Sequence, residues 1–286
     1  MRRSSLMNSV SDTQRSAISE FQRLHRSDCF ILPNPWDPGT ARYLHHLGFK
    51  ALATTSAGFA FSRARPDGGV PRDEMLAHIR ELAGATPLPV NADFLNGFAD
   101  EPEAVAANVR RCVETGVAGL SIEDSTGDKA RPLYDKALAV ERVRVARKAI
   151  DDSGAAVVLT ARCEAFLVDD PDALEKSVDR LVAFAEAGAD CLYAPGLTKP
   201  NQIAAIVQAV APKPVNVLVS GFNSHLSFAQ LRDLGVRRIS VGSGLALAAW
   251  GAFTRATRRI LEEGNFDLLA KGAGSAELNG LFRNFA

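Results

Sequence analysis

Oxygen-bearing side chains that could hold a metal ion are the most informative feature of this sequence. Asp93 and Glu123 end two separate apolar runs, Asn91 stands two positions before Asp93, and Asp67 lies in a polar stretch upstream. No histidine or cysteine accompanies them at a metal-ligand spacing. An all-oxygen set with few carboxylates suits Mg²⁺, which keeps several waters and lets a substrate complete its coordination. The residues therefore predict a Mg²⁺ site, with Mn²⁺ as the second choice. The alternative is that these carboxylates cap helices or pair with Arg162.

Two further features could bind an anion. Arg162 follows a strand-like run, where a guanidinium can hold a carboxylate or a phosphonate through two hydrogen bonds. The same arginine could instead neutralise Glu123. The segment Ser56, Ala57 and Gly58 would present a hydroxyl and successive backbone N–H groups to a carboxylate or a developing oxyanion. We therefore expect these residues and Arg162 to contact substrate, with Ser56 and Arg162 also acting in catalysis.

Other polar and aromatic residues are weaker candidates. Trp36 could form a wall of the pocket or serve ordinary packing, and Asn216 follows a late apolar run, where it is expected to bind substrate. His225 lies just beyond that run. The adjacent histidines His45 and His46 fall in a helical pattern and are expected to have no role in the site.

The candidates share a position at the ends of strand-like runs. Eight such runs occur: Phe30–Leu32, Ala51–Thr55, Leu88–Ala92, Gly119–Ile122, Ala156–Ala161, Asp190–Ala194, Pro214–Val219 and Arg238–Val241. Helical patterns separate them, among them 102–114, 136–151, 171–186 and 200–209. Four helix-to-strand junctions carry a glycine, namely Gly48, Gly116, Gly188 and Gly235. The repeat predicts an α/β protein, a (β/α)8 TIM-type barrel, whose active site lies at the carboxyl ends of the strands.

The remainder of the chain is expected to belong to the same domain. A helix is predicted over about 12–26, and no composition shift marks a domain boundary across 1–286. The tail from about 245 to 286 is rich in apolar residues, so it should dock on the barrel or on a neighbouring subunit. Gly221 and the Gly242-Ser243-Gly244 stretch leave a phosphate-binding barrel open as a lesser alternative.

Bulk composition restricts the class of partner. Among 286 residues 47% are hydrophobic and 23% charged, and the formal net charge is zero. Nothing in this balance favours nucleic acid or anionic lipid. The chain has no membrane-length apolar run and no signal-like start, and its four cysteines lack a CxxC pattern. A cytoplasmic protein with reduced thiols is expected.

Seven motifs, taken in order and spacing, resemble the isocitrate lyase/phosphoenolpyruvate mutase superfamily over about residues 31–249. They are P-N-P-W-D-P-G-T-A-R (33–42), G-F-K-A-L-A-T-T-S-A-G (48–58), P-D-G-G (66–69), V-N-A-D-F-L-N-G-F (90–98), I-E-D-S-T-G-D-K (122–129), L-T-A-R-C-E-A (159–165) and I-S-V-G-S (239–243). The resemblance implies a barrel whose last helix swaps between subunits, usually in homodimers or homotetramers. It also implies Mg²⁺ and chemistry through a pyruvate enolate bound to the metal.

The resemblance also suggests a role for each motif residue. By it, Asp93 is the direct metal carboxylate, and Glu123 and Asp67 are ligands through water. Residues 56–58 hold the pyruvyl carboxylate, and Arg162 grips the substrate.

Three departures from the family pattern bear on the reaction. Asn91 stands where the family commonly has another aspartate. The loop after the fourth strand keeps Lys129, but Arg131 replaces the cysteine of the Lys-Arg-Cys-Gly-His sequence found in the isocitrate and methylisocitrate lyases, and Leu133 replaces its histidine. The glutamate of the sixth strand in those lyases is absent here. Lys129 is left as the candidate acid or electrostatic stabiliser, and Arg131 could contact a distal carboxylate.

These residues predict a Mg²⁺-dependent lyase that cleaves a C–C bond in a small 2-oxo or 2-hydroxy carboxylate. Decarboxylation of an oxaloacetate-like acid needs no cysteine acid, so it fits better than methylisocitrate cleavage. One alternative is C–P chemistry on a phosphonopyruvate-like substrate, by a mutase or a hydrolase. Another is a catalytically silent barrel that binds a dicarboxylate. The silent barrel is disfavoured because it would not need the convergent charges at Asp67, Asp93, Glu123, Lys129 and Arg162.

Overall fold

A ring of eight short parallel strands forms the centre of the computed structural model, which describes residues 10–283 and 285. The strands are β1 (Phe30–Leu32), β2 (Leu52–Ala53), β3 (Val90–Asp93), β4 (Gly119–Glu123), β5 (Val158–Arg162), β6 (Cys191–Tyr193), β7 (Val215–Leu218) and β8 (Arg238–Ser240). Each strand pairs in parallel with its neighbour in the order β1-β8-β7-β6-β5-β4-β3-β2. The eight strands and their crossover helices confirm the predicted (β/α)8 barrel.

Asn34 completes the ring between β1 and its two neighbours. Its side-chain amide donates to the carbonyl of Thr54 at 2.8 Å, and its Oδ1 accepts from the backbone N–H groups of Val241 and Gly242 at 3.0 and 2.9 Å. The N–H of Ala53 also donates to the carbonyl of Pro33 at 3.0 Å. One asparagine therefore joins the chain after β1 to the chains after β2 and β8, at the end of the barrel where the site is expected.

The helices fall where the helical patterns indicate, with small shifts at their ends. They are α1 (Asp12–Arg26), α2 (Pro38–His46), α3 (Ser56–Ser62), α4 (Arg72–Ala85), α5 (Pro102–Val113), α6 (Lys136–Asp152), α7 (Ala173–Glu186), α8 (Pro200–Val210), α9 (Phe228–Asp233), α10 (Gly244–Glu263) and α11 (Ser275–Arg283), with a 3-10 helix at Asp267–Lys271. The predicted strand 51–55 is shorter because Thr55 already caps α3, accepting from the N–H of Gly58.

Helix α1 closes the amino-terminal end of the barrel. Phe21 is fully buried, and Ile18 and Leu24 are buried beside it. A Cβ atom on Gly119 would lie 2.5 Å from Cε1 of Phe21 and 2.8 Å from Oδ1 of Asn91. The start of β4 must therefore be glycine for the aromatic ring of α1 to fill the end of the barrel.

The C-terminal region leaves apolar surface uncovered. Within the described helix α10, Ala246 is the one buried residue, and Leu247, Trp250 and Phe253 are exposed. Ile31 of β1, which should lie under a helix, is 37% exposed and lines an apolar cleft of about 650 Å³. The helix α11 packs on α2, one of the two places expected for the tail.

Some predictions extend beyond the described residues. Residues 1–9, 284 and 286 lie outside them, so a single domain across 1–286 and the full tail remain predictions. No helix in the described part of the chain is both long enough and apolar enough to cross a membrane.

Candidate active site

A row of polar residues crosses five adjacent strands and defines the site. Glu123 of β4 is in register with Arg162 of β5, which is in register with Tyr193 of β6. The row continues through Asn216 of β7 to Arg238 of β8. Because parallel strands end on the same side of the barrel, the residues at the start of this row meet at its carboxyl end.

Arg162 is the centre of the site and contacts three carboxylates. Its Nη1 donates to Oδ1 of Asp93 at 3.0 Å and lies 3.3 Å from Oε2 of Glu123. Its Nε donates to Oε1 of Glu164 at 2.9 Å, and Nη2 lies 2.8 Å from the same oxygen. The structure thus brings together Asp93, Glu123 and Arg162, which the sequence predicted, and adds Glu164. The predicted alternative, an ion pair between Arg162 and Glu123, is present as part of this cluster.

Ser56 holds the other oxygen of Asp93. The backbone N–H and the hydroxyl of Ser56 both donate to Oδ2 of Asp93, at 2.9 and 2.8 Å. The N–H of Asp93 in turn donates to the Thr54 hydroxyl at 2.8 Å. The turn 56–58 is the first turn of α3, and its serine orients a carboxylate of the protein itself. A direct role of Ala57 and Gly58 toward substrate remains a prediction.

Burial and mutual repulsion act on the carboxylates of the site. The pKa of Glu123 lies well above its ordinary value because burial disfavours its charge, and Arg162 only partly offsets this. Burial also raises the pKa of Glu164, again against the pull of Arg162. The pKa of Asp67 is raised first by partial removal from water and then by the charge of Asp93, although Asp67 lies on an exposed loop. A nearby positive charge would stabilise the ionised form of each of these carboxyl groups.

The donor set fits the metal that the family resemblance implies. Oε2 of Glu123 and Oδ1 of Asn91 are buried and lack a hydrogen-bond partner among the described residues. Oε2 of Glu123 has only the ion-pair contact with Arg162 at 3.3 Å, and a buried oxygen without a hydrogen bond is costly unless a cation or water completes it. No three Asp, Glu, His or Cys side chains among residues 10–283 and 285 are arranged as a metal site as they stand, and Arg162 lies between the carboxylates. Asp93, Glu123, Asp67 and Asn91 supply the oxygen chemistry that Mg²⁺ prefers.

Asp124 is buried directly beside Glu123 and anchors the loop that follows. Its carboxylate accepts from Arg180 at 3.0 Å and from the N–H of Glu164 at 2.8 Å. Its carbonyl accepts from the N–H of Tyr134 at 3.0 Å, so both ends of the segment 125–133 meet at this residue. A bridge between Ser125 and Leu133 makes the segment hairpin-like.

Lys129 and Arg131 lie exposed on this segment, apart from the buried cluster. The side chain of Arg131 is 87% exposed, and its one recorded ion pair is with Asp128 at 3.9 Å. The structure therefore shows the two loop cations in solvent, and their predicted contact with substrate remains a prediction.

Asn216 and Trp36 are positioned differently from what their predicted roles require. The Asn216 amide donates to the Ser240 hydroxyl at 2.9 Å, and its oxygen accepts from Nε of Arg238 at 2.9 Å. Both ends of that amide are thus engaged within the barrel. Trp36 lines apolar clefts beside α2 and α10, which supports the alternative of a packing role. The exposed His225 makes no recorded contact with the cluster in the described structure.

Sequence reasoning missed Tyr193, Glu164 and Arg238. Tyr193 and Glu164 stand at strand ends, so the rule that sites lie there could have found them. Arg238 begins its strand and is 2% exposed, donating to Asn216 and to the Thr160 hydroxyl. Its burial could not be read from the sequence because arginine is normally a surface residue.

Comparison with known proteins extends the resemblance over most of the chain. Residues 21–261 match the family model described as Phosphoenolpyruvate phosphomutase. An uncharacterized protein of Mycobacterium tuberculosis is 34% identical over 82% of this chain and 86% of its own length. The 2-methylisocitrate lyase of Salmonella typhimurium is 30% identical over 74% of this chain and 72% of its own length.

The same similarity is seen in three dimensions. The crystal structure of a lyase/mutase candidate from Burkholderia cenocepacia J2315 is 45% identical in sequence, with a TM-score of 0.92. The match covers 95% of this chain and 98% of the other.

Proposed function

Because the chain belongs to the isocitrate lyase/phosphoenolpyruvate mutase superfamily of lyases and mutases, we propose that it is a Mg²⁺-dependent carbon–carbon lyase. The proposed substrate is a small 2-oxo or 2-hydroxy acid with a second carboxylate, and the preferred reaction is decarboxylation of an oxaloacetate-like acid. The observation that carries the proposal is the meeting of Arg162 with Asp93, Glu123 and Glu164 at the carboxyl ends of three strands.

In the proposed reaction the C3–C4 bond breaks and its electron pair enters the enolate of pyruvate. Carbon dioxide leaves, and protonation at C3 gives pyruvate. Asp93, Glu123, Asp67 and Asn91 would hold Mg²⁺, which when bound supplies Lewis-acid polarisation of the 2-oxo group. A positive charge close to the 2-oxygen favours the enolate because negative charge develops there.

Residues of the chain itself would orient the metal ligand, hold the substrate and supply the proton. Ser56 fixes the orientation of Asp93 through two hydrogen bonds. Arg162 would hold the second carboxylate so that the breaking bond is aligned. Lys129 on the exposed loop would donate the proton or stabilise charge as the loop closes and excludes water. Cys163, the buried cysteine beside Arg162, has a strongly raised pKa through burial and is a poor acid for this purpose.

Decarboxylation is preferred because of what the loop 125–133 contains. In the related lyases the loop cysteine is the acid that protonates the carboxylate product as it leaves. Carbon dioxide leaves as a neutral molecule and needs no such acid. The loop has Arg131 where the related lyases have that cysteine, and this exposed guanidinium, 3.9 Å from Asp128, would be available to an anionic substrate.

A second candidate is C–P chemistry on a phosphonopyruvate-like acid, and the matched family model favours it. The same arginine and carboxylates would serve, with a phosphonate in place of the second carboxylate. The products distinguish the candidates, since this reaction gives phosphoenolpyruvate or inorganic phosphate and decarboxylation gives carbon dioxide.

The test is turnover by the purified protein with Mg²⁺ and, separately, oxaloacetate, methylisocitrate and phosphonopyruvate. We expect pyruvate and carbon dioxide from oxaloacetate above the rate of the metal ion alone, and loss of at least about 100-fold in Asp93→Asn. Asp152→Asn on the exposed end of α6 is the matched control and should keep full activity. No turnover of oxaloacetate or methylisocitrate, or equal turnover in Asp93→Asn, would reject the carbon–carbon lyase.

We also propose that the chain works as a homo-oligomer, a dimer or a tetramer. The support is the uncovered helix α10 together with the cleft beside the exposed Ile31, where a helix would normally cover the strand. An α10 from a second copy has the apolar character to fill that cleft.

A further inference from the structure

The guanidinium carbon of Arg162 lies over the aromatic ring of Tyr193. The two residues are direct neighbours on β5 and β6, and the guanidinium carbon is 5.0 Å from the centre of the ring. That distance is within the range of a cation–π interaction. Tyr193 is 8% exposed and lines the same small cavity as Asp93 and Arg162, of about 50 Å³. The ring is thus part of the wall that faces the reacting groups.

The other partners of Arg162 contact its N–H groups, with Nη1 donating to Oδ1 of Asp93 at 3.0 Å. Nε and Nη2 both converge on one oxygen, Oε1 of Glu164, so that contact is not a two-oxygen fork. A two-oxygen fork fixes the plane of a guanidinium more firmly than a single acceptor oxygen does. The ring of Tyr193 adds a contact beyond these hydrogen bonds, so the position of the guanidinium also depends on the ring.

Tyr193 also contributes no charge of its own. Burial raises the pKa of its hydroxyl to about 12, against the pull of Arg162. The ring is therefore neutral at every working pH, and it does not compete with an anionic substrate for the guanidinium. A carboxylate at the same position would form an ion pair with Arg162 and compete with an anionic substrate.

We propose that Tyr193 is a positioning residue whose ring orients Arg162 toward the second carboxylate of the substrate, so that it selects dicarboxylates over monocarboxylates. This rests on the proposed function, in which Arg162 holds that carboxylate. The ring face is the active part, and the hydroxyl has no role in it. The first carboxylate, next to the 2-oxo group, would be held by other residues. Its binding does not depend on Tyr193.

The test compares Tyr193→Phe, which keeps the ring, with Tyr193→Leu, which removes it. Mg²⁺-loaded proteins are assayed with oxaloacetate, and binding of 3,3-difluorooxaloacetate and of pyruvate is measured by calorimetry. We expect Tyr193→Leu to raise KM for oxaloacetate about tenfold with kcat within about threefold, because desolvated cation–π contacts are worth that much. Difluorooxaloacetate should bind about tenfold more weakly, and pyruvate within about twofold. Tyr193→Phe should match the parent protein in all measurements.

Equal loss in Tyr193→Phe and Tyr193→Leu, or equal weakening of pyruvate and difluorooxaloacetate, overturns the inference and leaves the lyase proposal intact. If the parent protein binds difluorooxaloacetate without turning over oxaloacetate, the lyase proposal fails and the binding measurements still decide the role of Tyr193. Binding of neither compound by the parent protein overturns both. Should Tyr193→Leu prove unfolded by circular dichroism, Tyr193→Met, which better fills the volume, replaces it under the same criteria.

Discussion

Arg180 of α7 donates to Oδ2 of Asp124 at 3.0 Å and, through its other terminal nitrogen, to the carbonyl of Tyr134 at 2.8 Å. One buried guanidinium therefore ties down the residue before the loop 125–133 and the residue after it. Asp124 also receives the N–H of Glu164, whose carboxylate holds Arg162. The ion pair between Arg180 and Asp124 thus connects the base of the loop to Glu164, the residue that holds Arg162.

Removing Arg180 should destabilise the fold strongly. Arg180→Leu leaves the Asp124 carboxylate buried and unpaired, and breaking a buried pair on one side costs about 3–5 kcal/mol. We expect the free energy of unfolding in urea to fall by about that amount. Lys148→Ala, which breaks the exposed pair with Asp152, is the control and should change it by less than about 0.5 kcal/mol. A loss below about 1 kcal/mol in Arg180→Leu would show that Asp124 finds another partner.

Acid should destabilise the protein through His78. This histidine of α4 stacks on Phe59 of α3 at a centroid distance of 3.7 Å, and burial lowers its pKa to about 4. Between about pH 6.5 and pH 4, His78 binds a proton in the unfolded chain, where its pKa is near 6.5, and remains neutral in the folded chain. The contribution to stability is therefore complete above about pH 6.5 and is lost as the pH falls toward 4, by at most about 3 kcal/mol.

The measurement is the free energy of unfolding between pH 7 and pH 4.5 for the parent protein and for His78→Phe. The substituted protein should show a shallower fall. A part of the fall should remain, because burial also lowers the pKa of His25 to about 3. The exposed His225→Gln should reproduce the parent curve, and a His78→Phe curve parallel to the parent would contradict the assignment.

Gly119 should not tolerate a side chain. A Cβ atom there meets Phe21 at 2.5 Å and Asn91 at 2.8 Å, so Gly119→Ala must displace the aromatic plug of α1 or the amide of the site. Overpacking of this kind costs about 1–3 kcal/mol. Gly84→Ala is the matched control, since it lies exposed in α4 with nothing within 4 Å of a Cβ atom. That change should stabilise the helix by about 0.5–1 kcal/mol. Thermal melts of the two variants should therefore move in opposite directions.

Charge on α10 should weaken self-association. Phe253 is 58% exposed and packs edge-on against Trp250, at a centroid distance of 5.6 Å. If a second copy covers this face, Phe253→Glu buries an unpaired charge and shifts the protein toward monomers. Light scattering after size-exclusion chromatography measures the mass directly. Arg255→Glu is the control, because the exposed Arg255 lies on the opposite face of the same helix. A parent protein that is monomeric at 100 μM would rule out the proposed oligomer.

The fold could be predicted from the sequence because the barrel repeats one local pattern. Apolar runs, glycine junctions and helical periodicity recur along the chain, and each unit agrees with the next. Helix α1 was predicted at the bounds observed, Asp12–Arg26. Strand β2 was overestimated because the cap at Thr55 depends on a hydrogen bond to Gly58. The residue types alone do not show that this hydrogen bond forms.

Of the site, the sequence identified charged residues but not their partners. Asp93, Glu123 and Arg162 were predicted because they stand at strand ends, and they are in contact. The link from Ser56 to Asp93 joins positions 37 apart in sequence, and the contact of Arg162 with Asp93 joins positions 69 apart. Such pairings depend on strand register and on the turn of α3. The sequence pattern suggested Ser56 for the substrate, whereas the structure shows it orienting a carboxylate.

The polar row from Glu123 to Arg238 belongs to the strands, whereas Lys129 and Arg131 belong to a loop that meets the barrel at Asp124 and Tyr134. Replacing that loop by one of another sequence would remove these two exposed cations and leave the polar row in place. Substrate choice could then be altered by transplanting a single segment between fixed ends. A residue of the row is harder to exchange, since Glu123 and Tyr193 both contact Arg162, and Asn216 contacts Arg238.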